Sequence, residues 1–337
     1  MPDRLSAGHL CSQKVVTVWR RPFPWLIVGA ALLYALVPYF TNDVQLRESL
    51  LLAAVYIILA SNLNLMIGYA GYINFGNIVF FGLGGYICLY LVNDFQWPLL
   101  LAALVGGVAV SAVALLFGLG ILRLRGAFFA LATIGVNAAI QQLVVNFEPW
   151  GGATGIYLAL DAYGPLGGPM QALWNIYLLI VALTAASLLA SYVIKNSKFG
   201  LGLIAIGQNE DAAAVLGVPT HLYKALIYSA SAFLPAMAGG FYFFKSGIIE
   251  PAGAFNLQTS IEAIVMVMLG GAGTIIGPTL GAFLYEELRG YLLIAETFSH
   301  FQLVIAGALL LIIVLFVPGG LLGFVHRRWP RTRRWLE

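Results

Sequence analysis

Residues 98–122 read PLLLAALVGGVAVSAVALLFGLGIL, an apolar run whose single hydroxyl is Ser111 and which ends against Arg123. About 20 such residues, rising 1.5 Å each as a helix, cross the hydrocarbon layer of a bilayer. A surface helix of a soluble protein keeps a polar face, and this run has none. It specifies a membrane span.

Runs of the same kind recur on both sides of it. They cover 24–41, 47–67, 77–92, 98–122, 127–146, 172–194, 225–244, 258–272, 277–295 and 301–317. Of the 337 residues 61% are hydrophobic and 9% charged, where a soluble domain has about a quarter of its residues charged. The expected fold is all-α, a polytopic integral membrane protein of about ten transmembrane helices. The run 258–272 is short and Gly-terminated, so it is the one expected to be short, broken or re-entrant. Irregular backbone at membrane depth is tolerated only where protein or water covers it.

Charge sets the orientation. With a cytoplasmic N-terminus, 14 of the 17 Lys and Arg fall on the inner side: four before residue 22, then Arg123, Arg125, Lys195, Lys198 and Lys224, and five after residue 326. Arg47 and Lys245 fall outside, and Arg289 lies within the ninth run. An excess of Lys and Arg on one face marks the cytoplasm, so both termini are expected there. No small-residue cleavage site follows the first run, which reads as a retained span. The expected organisation is a cytoplasmic tail 1–23, a membrane domain 24–317 and a basic cytoplasmic tail 318–337. Within the membrane domain, 147–173 forms an external Gly/Pro-rich segment and 195–224 an internal loop.

Met66-Ile67-Gly68-Tyr69-Ala70-Gly71-Tyr72-Ile73 is echoed by Met268-Leu269-Gly270-Gly271-Ala272-Gly273-Thr274-Ile275, and each copy runs on to a further Gly, Gly76 or Gly277. Gly-interrupted segments in two halves of a chain mark a transport pathway built by duplication. Small residues also recur wherever membrane helices pack closely. Gly68, Gly71, Gly273, Gly277 and Gly281 are assigned to such close packing. The span count puts both copies near the cytoplasmic side, which favours a parallel relation.

No G-x-x-x-x-G-K-[ST] phosphate cradle is present, so the chain does not hydrolyse ATP by that route. His9, His221, His300 and His326 are scattered over tails and loops, and Cys11 and Cys88 lie in a polar tail and an apolar run. No metal site or nucleophilic triad follows from these positions, and an enzyme is not expected. Ionisable groups within the runs are Glu262, Glu286, Glu287 and Arg289. Glu286 and Arg289 have the i, i+3 spacing of a local ion pair. Glu262 either lines a path or reaches the interface. Thr133, Asn137 and Gln141 share one helix face and, with Asn64, Asn74 and Asn77, are candidate pathway-lining groups; hydrogen bonding to neighbouring helices is the other reading, and for the Thr133 stripe the favoured one.

The inner loop contains Gln208-Asn209-Glu210-Asp211-Ala212-Ala213-Ala214-Val215-Leu216-Gly217-Val218-Pro219. Asn209 is placed to cap a short helix, two acids favour its positive end, and Gly217 with Pro219 stops it. Such a helix is either a connector or a plug for a groove on a partner protein.

The sequence resembles the permease subunits of ABC importers for branched-chain amino acids, in particular their LivM-like half. The blocks that carry the resemblance are Leu63 to Gly71, Leu122 to Gly126 leading to Ala132-Thr133-Ile134-Gly135, Gly151 to Ile156, the loop just quoted, and Met268 to Pro278. In such importers a loop motif Glu-Ala-Ala, three residues, Gly, nine residues, Ile, then Leu-Pro docks on the ATPase. Here Asp211-Ala212-Ala213 stands for Glu-Ala-Ala, and Gly217 and Ile227 keep the spacing, while Ser229-Ala230 replaces Leu-Pro. The coupling role therefore passes to Asp211, Ala212, Ala213 and Gly217, with Glu210 in the same helix. The resemblance implies a second homologous (LivH-like) permease, two ABC ATPase subunits, a periplasmic substrate-binding protein and a bacterial inner membrane. It implies no cofactor and no nucleic acid. The implied cargo is leucine, isoleucine or valine, with urea, short amides or other amino acids as alternatives. An ion-coupled secondary transporter is the rival class, and it needs a charged site deep in the membrane.

Overall fold

The computed structural model describes residues 23–41, 43–294 and 320–322. The expected tenth run and most of both tails lie outside these residues. Twelve helices are described: α1 (Phe23–Thr41), α2 (Val44–Asn64), α3 (Asn77–Phe95), α4 (Leu99–Ile121), α5 (Ala127–Val145), α6 (Pro169–Lys195), α7 (Lys198–Gln208), α8 (Glu210–Val215), α9 (Thr220–Ser246), α10 (Pro251–Ala254), α11 (Leu257–Gly270) and α12 (Gly277–Ile294). Strands β1 (Ile156–Tyr157) and β2 (Ile248–Ile249) form one short antiparallel pair.

The chain is an all-α polytopic membrane protein. Among the described residues seven helical stretches are long and apolar enough to cross a membrane, and Pro24–Phe40 is a shorter apolar one. Each of the first nine runs in the sequence corresponds to a described helix. The eighth run is short but unbroken, forming α11; the four-residue α10 precedes it across an interruption at Phe255 and Asn256, and the two together make the apolar stretch Pro251–Gly270. Asn256 caps the restart by accepting from Gln258 N at 3.0 Å.

Local chemistry sets the other ends. Asp43 starts α2 by accepting from Gln45 N at 2.8 Å, and Ser197 starts α7 by accepting from Gly200 N at 3.0 Å. The Gly/Pro-rich segment 147–173 gives its last residues to α6. Pro169 at the first position of α6 supplies a pre-set φ, so the helix begins before the apolar run does. In the same way the inner loop yields its last residues to α9, which starts at Thr220.

Helix α2 is the central element: 89% of its most apolar window is buried, against 28% for α5. Its end loosens into a π-helical turn, Leu65–Ala70, closed by Gly71 at φ 77°. α9 packs deeply against α3 and α4. A Cβ on Gly84 would lie 2.1 Å from Ala236 O and one on Gly239 1.9 Å from Phe81 O, so only glycine allows α3 and α9 this approach.

One end of the bundle gathers Leu122, Arg125, Lys195, Glu210, Lys224 and Gly273, which are joined by hydrogen bonds and ion pairs. The opposite end holds the β1–β2 pair, the Asn93 to Tyr157 O bond at 2.8 Å and the Lys245–Glu48 ion pair. Of the cations that the sequence assigns to the inner side, Arg125, Lys195 and Lys224 are held at the first of these ends, and Lys245, assigned to the outer side, is held at the other.

Candidate functional site

The inner loop folds as two helices, α7 and α8, where the sequence suggested one. Asn209 separates them and caps α8, accepting from Ala212 N at 3.0 Å. The first acid of α8 points inward. Glu210 Oε1 accepts from Lys224 Nζ at 2.7 Å, Glu210 Oε2 accepts from Tyr72 OH at 2.5 Å, and Arg125 Nε lies 3.5 Å away. Lys224 is 0% exposed and also donates to Leu122 O at 2.8 Å and Tyr72 OH at 3.2 Å. A buried ammonium with three oxygen partners is the arrangement that makes such burial tolerable. The second acid points outward: Asp211 takes a two-pronged bond from Arg125, at 2.9 and 3.2 Å, on the surface.

These contacts shift both carboxyls. Burial opposes ionisation of Glu210, but the hydrogen bonds from Lys224 and Tyr72 and the charges of Lys224 and Arg125 outweigh it and hold its carboxyl below the usual range. The hydrogen bond and charge of Arg125 do the same for Asp211. Helix α8 is therefore fastened to the base of α4, α5 and α9 by ionised groups. Ala213 is buried beneath it, while Val215 and Leu216 at its tip are 89% and 82% exposed. Gly217 ends it in the left-handed region at φ 86° with open space around its Cα.

The candidate pathway residues fall into separate groups. Asn64 is buried at the end of α2 and accepts from Gly273 N at 2.9 Å while donating to Thr274 O at 2.8 Å. Asn74, Asn77 and Thr133 meet around the start of α3: Thr133 Oγ1 accepts from Phe75 N at 3.2 Å, and Asn74 Oδ1 from Gly76 N at 2.9 Å. Asn77 Nδ2 reaches Leu59 O only at the long limit of 3.5 Å. Asn137 and Gln141 donate to Phe255 O at 3.0 Å and Pro251 O at 3.4 Å, binding α5 to the α10 break. Glu262 is 3% exposed and so does not reach the interface; it accepts from Tyr56 OH at 2.9 Å and Gln258 Nε2 at 3.0 Å. Arg289 Nη1 donates to the same Tyr56 OH at 2.9 Å and sits 3.5 Å from Glu286, the i, i+3 partner read from the sequence. Tyr56 also borders a recess of about 230 Å³ at the end opposite the loop, with Tyr242, Ser246, Glu250 and Thr259 set among aliphatic residues.

The two Gly-rich motifs meet. A Cβ on Gly68 would lie 2.3 Å from Gly273 N, and Gly273, like Gly71, adopts positive φ. Gly277 lies against Gly270 and Gly271, and a Cβ on Gly281 would lie 1.9 Å from Met266 O. In both motifs one helix ends and another starts at the same end of the bundle, in the same order.

Two Gly-rich helix-to-helix junctions abut at one end of the bundle, beside a short capped helix held by buried ionic contacts. Residues 45–314 match the family model described as the permease component of the branched-chain amino acid transport system. The chain belongs to this permease family.

The permease is 25% identical over 309 residues to the high-affinity branched-chain amino acid transport system permease protein LivM of Escherichia coli, covering 85% of this chain and 70% of that one. It is 24% identical over 313 residues to the ribose import permease protein RbsC of Haemophilus influenzae, covering 88% and 92%. A further relative is the autoinducer 2 import system permease protein LsrC of Photorhabdus luminescens, 29% identical over 147 residues and 42% of each chain. No solved structure matches the permease.

Sequence reading found the acids of α8 but not what they hold. Lys224 counted only as an inner-side cation and Tyr72 as part of a Gly-rich motif. The one available signal was a lysine at the start of an apolar helix with no acid in its own first turns. Such a lysine must find its counter-charge elsewhere.

Proposed function

We propose that this permease forms half of the transmembrane pathway of an ABC importer in a bacterial inner membrane. Its partners are a second homologous permease, two ABC ATPase subunits bound at α8, and a periplasmic binding protein that delivers solute at the end carrying β1 and β2. The observation that carries the reading is the posture of α8. Its acid end is locked to the membrane domain through Lys224, and its apolar tip, Val215 and Leu216, is left in the open. A short rigid helix with a protruding apolar tip suits a groove on a soluble partner.

The cargo in this proposal is a branched-chain amino acid. The recess beside Tyr56 supports it: walls of Leu, Val and Ile together with Tyr56, Phe81, Tyr242 and Phe243 suit an apolar side chain, and the Glu250 carboxylate suits an ammonium group. Relatives named for ribose and autoinducer 2 make a polyhydroxy solute the second reading. The test is uptake into proteoliposomes holding the full complex with ATP inside. Leucine uptake that depends on ATP and on binding protein is the expected result. Uptake by this chain alone, driven by a proton or sodium gradient, would overturn it.

A further inference from the structure

The coupling loop and the two Gly-rich junctions, the first break at 65–76 between α2 and α3 and the second at 271–276 between α11 and α12, touch in series. At Gly207, in the last turn of α7, a Cβ would lie 2.7 Å from Tyr69 O, so α7 rests on the backbone of the first break. Glu210 holds Tyr72, in that break, by its hydroxyl. The first break in turn holds the second. Gly68 abuts Gly273, and Asn64 reaches across, its oxygen accepting from Gly273 N and its nitrogen donating to Thr274 O. A group lining a wet path would be open to water or solute. Asn64 is 1% exposed, and its oxygen and nitrogen are each engaged by the backbone of the other break.

We propose that Asn64 is a positioning residue that pins the α2–α3 and α11–α12 junctions into one unit. Displacement of the coupling loop by a bound ATPase then reaches α11 and α12 as well as α2 and α3. This rests on the ATPase-docking reading above. A carboxamide suits the task because one short side chain presents a donor and an acceptor together. Among the described residues Asn64 supplies the polar tie at this end, where the Gly68–Gly273 contact is otherwise van der Waals and resists sliding poorly, while the Tyr56 bonds to Glu262 and Arg289 tie α2 to α11 and α12 further along the helices.

The test uses the complete complex in liposomes and the near-isosteric Asn64→Leu, which has neither donor nor acceptor. Spin labels pair a fixed site at Leu116 on α4 with either Leu201 on α7 or Leu280 on α12, and distances are read with and without trapped nucleotide. In the parent protein both distances shift between states. In Asn64→Leu the α7 shift persists, while the α12 shift and solute uptake both fall by at least about five-fold, the lower end of a typical coupling. The ATPase still co-purifies. Should Asn64→Leu not assemble, Asn64→Ala, which adds no bulk, makes the same comparison. An α12 shift and uptake equal to the parent's would overturn the pin alone. Failure of the parent chain to retain any ATPase would overturn the docking reading on which it rests.

Discussion

Lys224 Nζ lies 2.7 Å from Glu210 Oε1, yet the two ends of this ion pair live in different media. The lysine is wholly buried, whereas the glutamate side chain is 10% exposed and has Arg125 as a second cation. The pair is therefore asymmetric. Replacing Glu210 by Met leaves an ammonium in the protein interior with only neutral oxygens around it, a loss of about 3–5 kcal/mol. Replacing Lys224 by Met leaves a carboxylate that keeps Tyr72, Arg125 and some water, a loss of about 1–3 kcal/mol. Thermal unfolding in detergent should rank Glu210→Met below Lys224→Met, with the double variant less damaged than the two losses added. The reverse ranking would mean that the carboxylate is the dependent partner.

The pH dependence has a definite sign. Glu210 and Asp211 both have carboxyls held below the usual range, so the stability they lend is complete above the ordinary carboxylate pKa, about 4. It is lost as pH falls through the lowered folded values. Hydrogen exchange of the amides of α8 should stay slow from neutral pH down to about 5 and quicken below about 4, after correction for intrinsic rates. Salt separates the two pairs: the surface Arg125–Asp211 pair weakens at high ionic strength, and the buried Lys224–Glu210 pair much less. Equal salt sensitivity of both would contradict the burial of Lys224.

Val215 and Leu216 protrude from the end of α8 and touch little of their own chain. Leu216→Asp should leave insertion and thermal stability within about 0.5 kcal/mol of the parent, as befits an exposed site. The same change puts a charge into an apolar contact if an ATPase seats there, so co-purification with the ATPase subunits should drop by about ten-fold or more. Normal ATPase retention by Leu216→Asp would move the docking site off this helix. Gly217→Trp is a less clean probe, because φ 86° already strains any side chain at that position.

What was legible in the sequence is what one segment can say by itself. The run 98–122 has no polar face, so its span is fixed by composition. The cap, acids and stop of α8 lie within nine residues and need no tertiary partner to be read. Glu286 and Arg289 pair along one helix turn, and the spacing gives that away. The buried groups were different. Lys224 depends on Leu122, Tyr72 and Glu210, which come from three separate segments, and Glu262 depends on Tyr56 more than two hundred positions away. The likeness of the two Gly-rich motifs was visible, but that they abut is a property of packing, to which a single sequence gives no distance.

Packing also divides the glycines into those that are required and those that are incidental. Gly281 sits in α12 where a Cβ would lie 1.9 Å from Met266 O and 2.9 Å from Gly270 N, both backbone atoms that no rotamer change can clear. Gly135 sits in α5 with nothing within 4 Å of a Cβ and with helical φ. Gly281→Ala must push α12 off α11, where overpacking typically costs about 1–3 kcal/mol or more. Gly135→Ala adds a methyl in open space and gains helix propensity of up to about 1 kcal/mol. The melting temperature in detergent should therefore fall for Gly281→Ala and hold or rise for Gly135→Ala. If Gly135→Ala instead kept its stability but lost co-purification of a second permease, its open face would be the seat of that partner. If both variants melted with the parent, the close approach of α11 and α12 would be wrong.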